Sequence, residues 1–197
     1  MSEELMNTAD REKLSVLIIT LNEEQHIKSL LGDIDFADEI IVVDSYSTDR
    51  TLSIIESFKN VKVIQNPFVN YTSQRNFAID QAKNSWILFI DADERLTPEL
   101  KLEIAATINQ KDTASAYFIY RTFMFKSRKL HFSGWQTDKI FRLFNKTNCR
   151  YNQDRMVHEK LIVNGPISTL KNKIIHFSYT SYTDYKAKMY SYGVLKA

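Results

Sequence analysis

The chain has 197 residues, 44% of them hydrophobic and 25% charged, with a single cysteine and a formal net charge of +2. That is enough apolar material for a full core in one domain, or one domain with an appendage. One cysteine, Cys149, excludes an internal disulfide framework and a cysteine-based zinc cluster, which suits a reducing, cytoplasmic setting. The longest apolar run, around residues 14–21, falls far short of the roughly 20 residues that span a bilayer. The polar, acidic stretch 1–13 resembles neither a signal peptide nor a transit peptide.

The small net charge hides an asymmetry: residues 1–100 carry 9 Lys+Arg against 18 Asp+Glu, and residues 101–197 carry 17 against 6. An acidic half that binds a cation and a basic half that meets an anion is the functional reading. The basic residues are scattered among strand-like segments with no nucleic-acid module, so a phosphorylated acceptor or an anionic membrane surface is the expected anion, not nucleic acid.

In chain order, Leu14–Thr20 is β-branched and apolar and feeds a helical pattern over 23–31, with Ile27, Leu30 and Leu31 on one face. Residues 39–44 read as a second strand and 48–58 as a second helix. Residues 61–64 read as a short strand, 73–82 as a helix, and 86–91 as a strand buried on both faces. Thr97-Pro98-Glu99 combines an N-cap, a proline in the first turn and an acid, so a helix runs from there to about Asn109. Strands alternating with helices predict βαβ units in a mostly parallel sheet. Beyond Thr113 the texture is β-rich, over 116–125, 139–145 and 160–164, until a basic amphipathic helix over 182–196. Its spacing of Tyr182, Tyr185, Met189, Tyr192 and Leu195 fits core packing or a peripheral membrane contact. The expected organisation is a single domain with a nucleotide-binding half (14–110) and a mixed, acceptor-binding half (111–197) that continues beyond the end of this chain.

The most informative feature is Asp91-Ala92-Asp93-Glu94 directly after Trp86-Ile87-Leu88-Phe89-Ile90. Open α/β folds bind ligands beyond the carboxyl ends of their strands. Carboxylates one residue apart repel unless a cation joins them, and a hard divalent ion carrying substrate phosphates is the usual one. Only four glycines occur, none clustered, so neither a dinucleotide fingerprint nor a P-loop is present. Any nucleotide must be held by side chains and a metal. Three other polar clusters fall at the same edge of the expected sheet: Thr20-Leu21-Asn22-Glu23, the run 44–51 (Asp44-Ser45-Tyr46-Ser47-Thr48-Asp49-Arg50-Thr51), and Gln74-Arg75-Asn76. Singly each serves as a helix cap or a strand end; together they outline one crevice.

In these four segments the chain resembles the family 2 glycosyltransferases, which have the A-type, Rossmann-like nucleotide-sugar-binding fold. Within that family it is similar to the lipopolysaccharide core β-glucosyltransferase type through Trp135, Phe141-Arg142-Leu143-Phe144, Val157-His158-Glu159 and Ile175-His176-Phe177. The resemblance implies an inverting transfer of a hexose, glucose from its uridine diphosphate conjugate, to a bacterial surface glycan or glycolipid acceptor. It implies that Glu23 and Asp44 contact base and ribose, with Thr20, Asn22, Ser47 and Ala92 lining the donor site. Arg75 would lie near the diphosphate or base. Asp91 would face ribose and metal, and Asp93 would ligate Mg²⁺ or Mn²⁺. His176, in the apolar run Ile174-Ile175-His176-Phe177, reads either as a satisfied buried histidine or as a third metal ligand, since imidazole suits Mn²⁺ and the strand would point back toward the site. Arg142 would contact the diphosphate or an anionic acceptor.

An inverting transfer needs a base opposite the leaving group. Family members commonly supply it from a Glu-Asp pair in the second half, which this chain lacks. Glu159 is the first choice, Asp138 the second and Asp154 the third, with His158 orienting base or acceptor. Competing readings are a nucleotide-sugar-binding module without turnover and a haloacid-dehalogenase-like phosphatase, which also sets Asp-x-Asp after an apolar strand, normally its first.

Overall fold

A computed structural model describes residues 11–125, 128–131, 137–152 and 160–179, together with Tyr182, Lys186 and Tyr190. Trp135, Asp154, His158 and Glu159 lie outside the described residues. Of the expected C-terminal helix only those three positions are described, all exposed, with the Lys186 ammonium 4.8 Å above the Tyr182 ring.

The first half alternates as the sequence predicts: β1 (Leu14–Thr20), α1 (Ile27–Asp33), β2 (Glu39–Asp44), α2 (Thr51–Glu56), β3 (Val61–Gln65), α3 (Tyr71–Gln81) and β4 (Trp86–Phe89). β5 (Glu94–Arg95) and α4 (Pro98–Ile108) follow. Period-two alternation sends the two faces of each inner strand into separate cores. Val16, Ile18, Ile40, Val42 and Leu88 pack with Ile27, Leu30 and Leu31 of α1, Ile55 of α2 and Leu100 and Ile104 of α4. Leu17, Ile41, Val43, Ile87 and Phe89 pack with Ala78 and Ile79 of α3. Helices therefore cover both faces, and the continuous apolar runs follow from that.

Two helices begin later than their sequence patterns suggest, because tertiary bonds capture their first residues. The Thr48 amide donates to Asn22 Oδ1 (2.8 Å) and the Arg50 amide to Glu24 (3.1 Å), so α2 starts at Thr51. Asn22 is left-handed (φ 57°), and a turn closed by the Ile27 amide on the Glu23 carbonyl (2.9 Å) precedes α1. The α4 start is as the sequence dictates: Thr97 accepts from the Leu100 amide (3.2 Å), with Pro98 in the first turn.

The second half adds β6 (Ala116–Phe125), β7 (Arg128–Lys129), β8 (Lys139–Asn145), β9 (Cys149–Tyr151), β10 (Leu161–Val163), β11 (Ile167–Thr169) and β12 (Ile174–Tyr179). Among the described residues the main sheet runs β3-β2-β1-β4-β8-β6-β12-β5, with β7 and β11 also on β6; β9 and β10 form a separate hairpin. The pairs β3-β2, β2-β1 and β1-β4 are parallel, and β8 is antiparallel to both β4 and β6. This is a mostly parallel sheet with a mixed extension. β5 follows β4 within five residues of chain, yet pairs with β12, the far end of the sheet's path. The sheet therefore curls back on itself, and the chain between β4 and β5 is the acidic motif. The Asp-x-Asp follows the fourth strand of the chain, which removes the phosphatase reading built on a first-strand motif. No described helix is long and apolar enough to cross a membrane.

Candidate active site

The sheet reverses direction of growth between β1 and β4, the position at which open α/β folds form a ligand crevice. Thr20 pairs in register with Asp44, and Leu17 with Phe89, so the ends of β2, β1 and β4 stand side by side. Asp44 and Asp91 thus lie on one edge roughly 10 Å apart, two strand spacings.

Asp44 is fully buried and organises the loop beyond β2. Its Oδ1 accepts from Thr20 Oγ1 (3.2 Å) and Ser47 Oγ (2.5 Å), and its Oδ2 from the Ser47 amide (2.9 Å) and Gln65 Nε2 (3.5 Å). Ser47 Oγ in turn accepts from the Asn22 amide (2.9 Å). Gln74 of α3 donates to Ser45 Oγ (3.0 Å). The loops after β1 and β2 are therefore braced on each other, with the exposed ring of Tyr46 held at φ 61° on their rim. Glu23, half-buried, has its amide bonded to Thr51 Oγ1 (2.7 Å). Asp44 and Thr20, being buried, support this wall from behind; of the site residues expected here, Asn22, Glu23 and Ser47 keep exposed surface.

The opposite wall is the acidic turn. The Glu94 amide donates to the Asp91 carbonyl (3.0 Å), and the Asp91 amide to Glu94 Oε2 (3.1 Å). Ala92 is buried, and its carbonyl accepts from Arg95 Nη1 (2.7 Å). Arg95 also reaches the His26 carbonyl (2.9 Å) and Ser29 (3.0 Å), stapling the turn to α1. Sequence reasoning gave Arg95 no part; an arginine directly after an acidic run was the available signal.

Asp91 is clamped by two arginines. Arg75 Nη2 donates to its Oδ1 (3.1 Å), and Arg142 Nη2 to its Oδ2. Arg142 Nη2 also meets Glu94 Oε1 at 2.7 Å, and Arg142 and Glu94 are both completely buried. Arg142 arrives by strand register: Leu143 pairs with Leu88, which sets Arg142 level with Phe89 at the mouth of the turn. Burial pushes the Asp91 carboxyl up, but the charges of Arg142 and Arg75 outweigh it and hold the group well below the usual carboxylate range. Burial wins at Glu94, helped by the Asp91 charge, and its carboxyl is raised. For Arg142 the two carboxylates outweigh burial and keep it charged. Arg75 stands over the Phe89 ring, its Cζ 4.5 Å from the ring centroid and 5.7 Å from that of Tyr151. Arg142, expected to contact a diphosphate or an anionic acceptor, is fully buried on Asp91 and Glu94 instead.

Asp93 points the other way. Its Oδ2 is 3.2 Å from His176 Nε2, and its carbonyl accepts from the Phe177 amide (2.9 Å). His176 pairs in register with Glu94 across β12 and β5. Among the described residues no three metal-ligating side chains are grouped, so the expected Asp91–Asp93–His176 set is not assembled: Asp91 belongs to the arginines. Asp93 and His176 do fit a divalent ion. An oxygen and a nitrogen 3.2 Å apart match adjacent positions on an ion bound at 2.0–2.2 Å, separated by roughly 3 Å. His176 Nδ1 is buried with no hydrogen-bond partner, so the ring's polar contact is made through Nε2 on the Asp93 side.

Asp138 sits at the start of β8, where Arg121 Nε donates to its Oδ2 (2.6 Å); Arg121 also stands 4.0 Å from Glu94. The alternating series Asp91–Arg142–Glu94–Arg121–Asp138 therefore runs from the crevice into the second half. Asn76, next to Arg75 on α3, is buried against β9. It donates to the Tyr151 carbonyl (2.9 Å) and accepts from the Tyr151 amide (3.1 Å).

With this geometry in place, three relatives bear on identity. The chain is 37% identical over 196 residues to an uncharacterized glycosyltransferase of Rickettsia bellii, covering 92% of this chain and 65% of that protein. It is 26% identical to the lipopolysaccharide core biosynthesis glycosyltransferase LpsC of Rhizobium meliloti, over 93% of this chain and 70% of the relative. The solved structure of S. aureus TarS 1-349 with UDP-GlcNAc matches with a TM-score of 0.52 at 31% identity, over 61% of this chain and 37% of that one. The UDP complex of TarS matches the fold more broadly, with a TM-score of 0.64 over 90% of this chain and 63% of that one, at 22% identity. The chain spans about two thirds of the length of its curated relatives. The model of Glycosyl transferase family 2 matches residues 15–167, three quarters of the chain, and by that match the chain belongs to this family.

Proposed function

We propose that this chain carries the donor site of an inverting, divalent-metal-dependent hexosyltransferase that takes a hexose, glucose in the first instance, from a uridine diphosphate conjugate. The acceptor is a surface glycan or glycolipid precursor, and the work is done at the cytoplasmic face of the membrane. The observation that carries the reading is the Asp93–His176 pair at the crevice edge, beside an Asp91 already neutralised by two arginines. The TarS complex with UDP-GlcNAc and the role of LpsC in lipopolysaccharide core biosynthesis support donor and acceptor class.

Asp93 and His176 would hold Mg²⁺ or Mn²⁺, which supplies Lewis-acid stabilisation of the departing diphosphate. Glu23, Asn22 and Ser47 line the nucleoside side, with Asp44 and Thr20 keeping their loops in place. Arg75, buried against Phe89, sets Asp91 and stands ready for diphosphate charge. In the transfer, an acceptor hydroxyl oxygen bonds to the anomeric carbon, the carbon–oxygen bond to the diphosphate breaks, and the hydroxyl proton passes to a base. Glu159 is assigned that proton, oriented by His158. Asp138 is second, because an acceptor must share its carboxylate with Arg121.

Asp93→Asn should lower metal-dependent donor turnover at least about a hundredfold while the fold melts normally, and Glu159→Gln should do the same with donor binding retained. Unchanged turnover in Asp93→Asn would reject the metal assignment. A full rate in Glu159→Gln would move the base to Asp138 or Asp154.

A further inference from the structure

Glu94 and Arg142 have no exposure to any ligand, yet both are charged residues in a place where apolar side chains would fill space at lower cost. Burying a carboxylate and a guanidinium carries a heavy desolvation penalty, so such a pair is weak evidence of stabilisation and better understood as fixing one arrangement against others. What it fixes here is the turn that carries Asp91 and Asp93. Three carboxylates in four residues repel, and on their own would open toward water. Glu94 Oε2 instead holds the Asp91 amide, Glu94 Oε1 holds Arg142 Nη2, and that same nitrogen holds the Asp91 carboxylate. With Asp91 turned inward onto arginines, the turn leaves Asp93 beside His176, its carbonyl held by the Phe177 amide.

We propose that Glu94 and Arg142 are a positioning pair for the donor: together they lock the 91–94 turn so that Asp93 meets His176 and Asp91 meets Arg75. The inference rests on the donor-site reading above. Neither residue touches the donor; each acts through the two aspartates, and misplacing such groups by about 1 Å costs on the order of a hundredfold in rate.

The experiment measures UDP binding by calorimetry in the presence of Mn²⁺, with thermal melting in parallel. Its samples are the full chain and the Arg142→Lys, Glu94→Gln and Glu94→Leu/Arg142→Met variants. Arg142→Lys keeps the charge but lacks the planar fork, so it should not rescue binding. The double variant removes both ions at once, a replacement that is commonly neutral or stabilising. All three should bind UDP at least about tenfold more weakly, the double variant while melting within a few degrees of the parent. A double variant that folds and binds UDP with the parent's affinity overturns the proposal. So does one that loses its melting transition, since the pair would then serve stability alone. If the parent chain itself binds no UDP with Mn²⁺, it is the donor-site reading that fails, an outcome separate from both.

Discussion

Replacing Asn76 with alanine removes two hydrogen bonds at once, because its side-chain amide imitates a strand and pairs with both the carbonyl and the amide of Tyr151. Both groups are buried, and stranding a buried polar group costs about 1–3 kcal/mol, so the variant should lose roughly 2–4 kcal/mol. For a chain of this length that corresponds to a fall in Tm of roughly 5–15 °C. The damage should spread to the crevice, since the Tyr151 ring packs edge-on against Phe89 (6.2 Å) and flanks Arg75. Asn76→Asp sharpens the test. Its carboxylate would accept from the Tyr151 amide but face the Tyr151 carbonyl as a second acceptor, and burial would raise its folded pKa above the unfolded value of about 3.9. A raised carboxyl means that the native state binds more protons, so stability falls as pH rises through the interval between the two values. The aspartate variant should therefore approach the parent near pH 4 and fall toward the alanine variant near pH 7.5. Urea unfolding across that range reads both effects. A loss below about 1 kcal/mol for alanine, or a pH-independent aspartate variant, would refute the claim that this amide ties α3 to β9.

Three further outcomes follow from the same structure. Asp91, held below its ordinary range by Arg142 and Arg75, stabilises the fold above the ordinary carboxylate pKa, and that contribution is lost as pH falls through the folded value. Asp91→Asn should accordingly flatten the dependence of the urea midpoint on pH between 5 and 3, and an unaltered slope would place the acid sensitivity elsewhere. Tyr46→Gly relieves a left-handed conformation that costs a side chain about 1–2 kcal/mol and returns some unfolded-state freedom, so a net gain of about 0.5–1 kcal/mol is expected in urea. Cys149, buried and with its thiol pushed up to about 11, should resist alkylation in the native protein and react only on unfolding, which thiol titration with and without denaturant would register.

The parallel half was legible because its determinants are local. Leu14–Thr20, Glu39–Asp44 and Trp86–Phe89 are apolar runs bounded by polar turns, and Thr97-Pro98 is a complete helix start. The common edge of Thr20, Asp44 and Asp91 was legible because these residues end or directly follow those runs; Asn76 was not, since its partner Tyr151 is 75 residues away. What escaped depends on contacts distant in sequence. β5 is two residues long and exists only because β12 lies beside it; β9, with three residues, exists through β10 and Asn76. The burial of Arg142 was hinted at by its flanks, Phe141 and Leu143-Phe144. A strand enclosed on both faces has no outward side for a charge, so a counter-charge inside was the available inference. The late starts of α1 and α2 arise from Asn22, Glu24, Thr48 and Arg50 bonding across two loops, which no helical periodicity reports.

The curl that returns β5 to the far edge makes the acidic motif joint property of both halves of the polypeptide. A fragment stopping at Thr113 would retain β1 to β4 and the braced loops that follow β1 and β2. It would nonetheless leave Glu94 buried without its cation, Asp93 without its imidazole, and the flank of β4 an open apolar edge inviting aggregation. The portion before Thr113 is thus not a transplantable module. Any chimera that exchanges the second half must bring a guanidinium and an imidazole at the heights of Arg142 and His176, or it inherits a cleft whose charges do not balance.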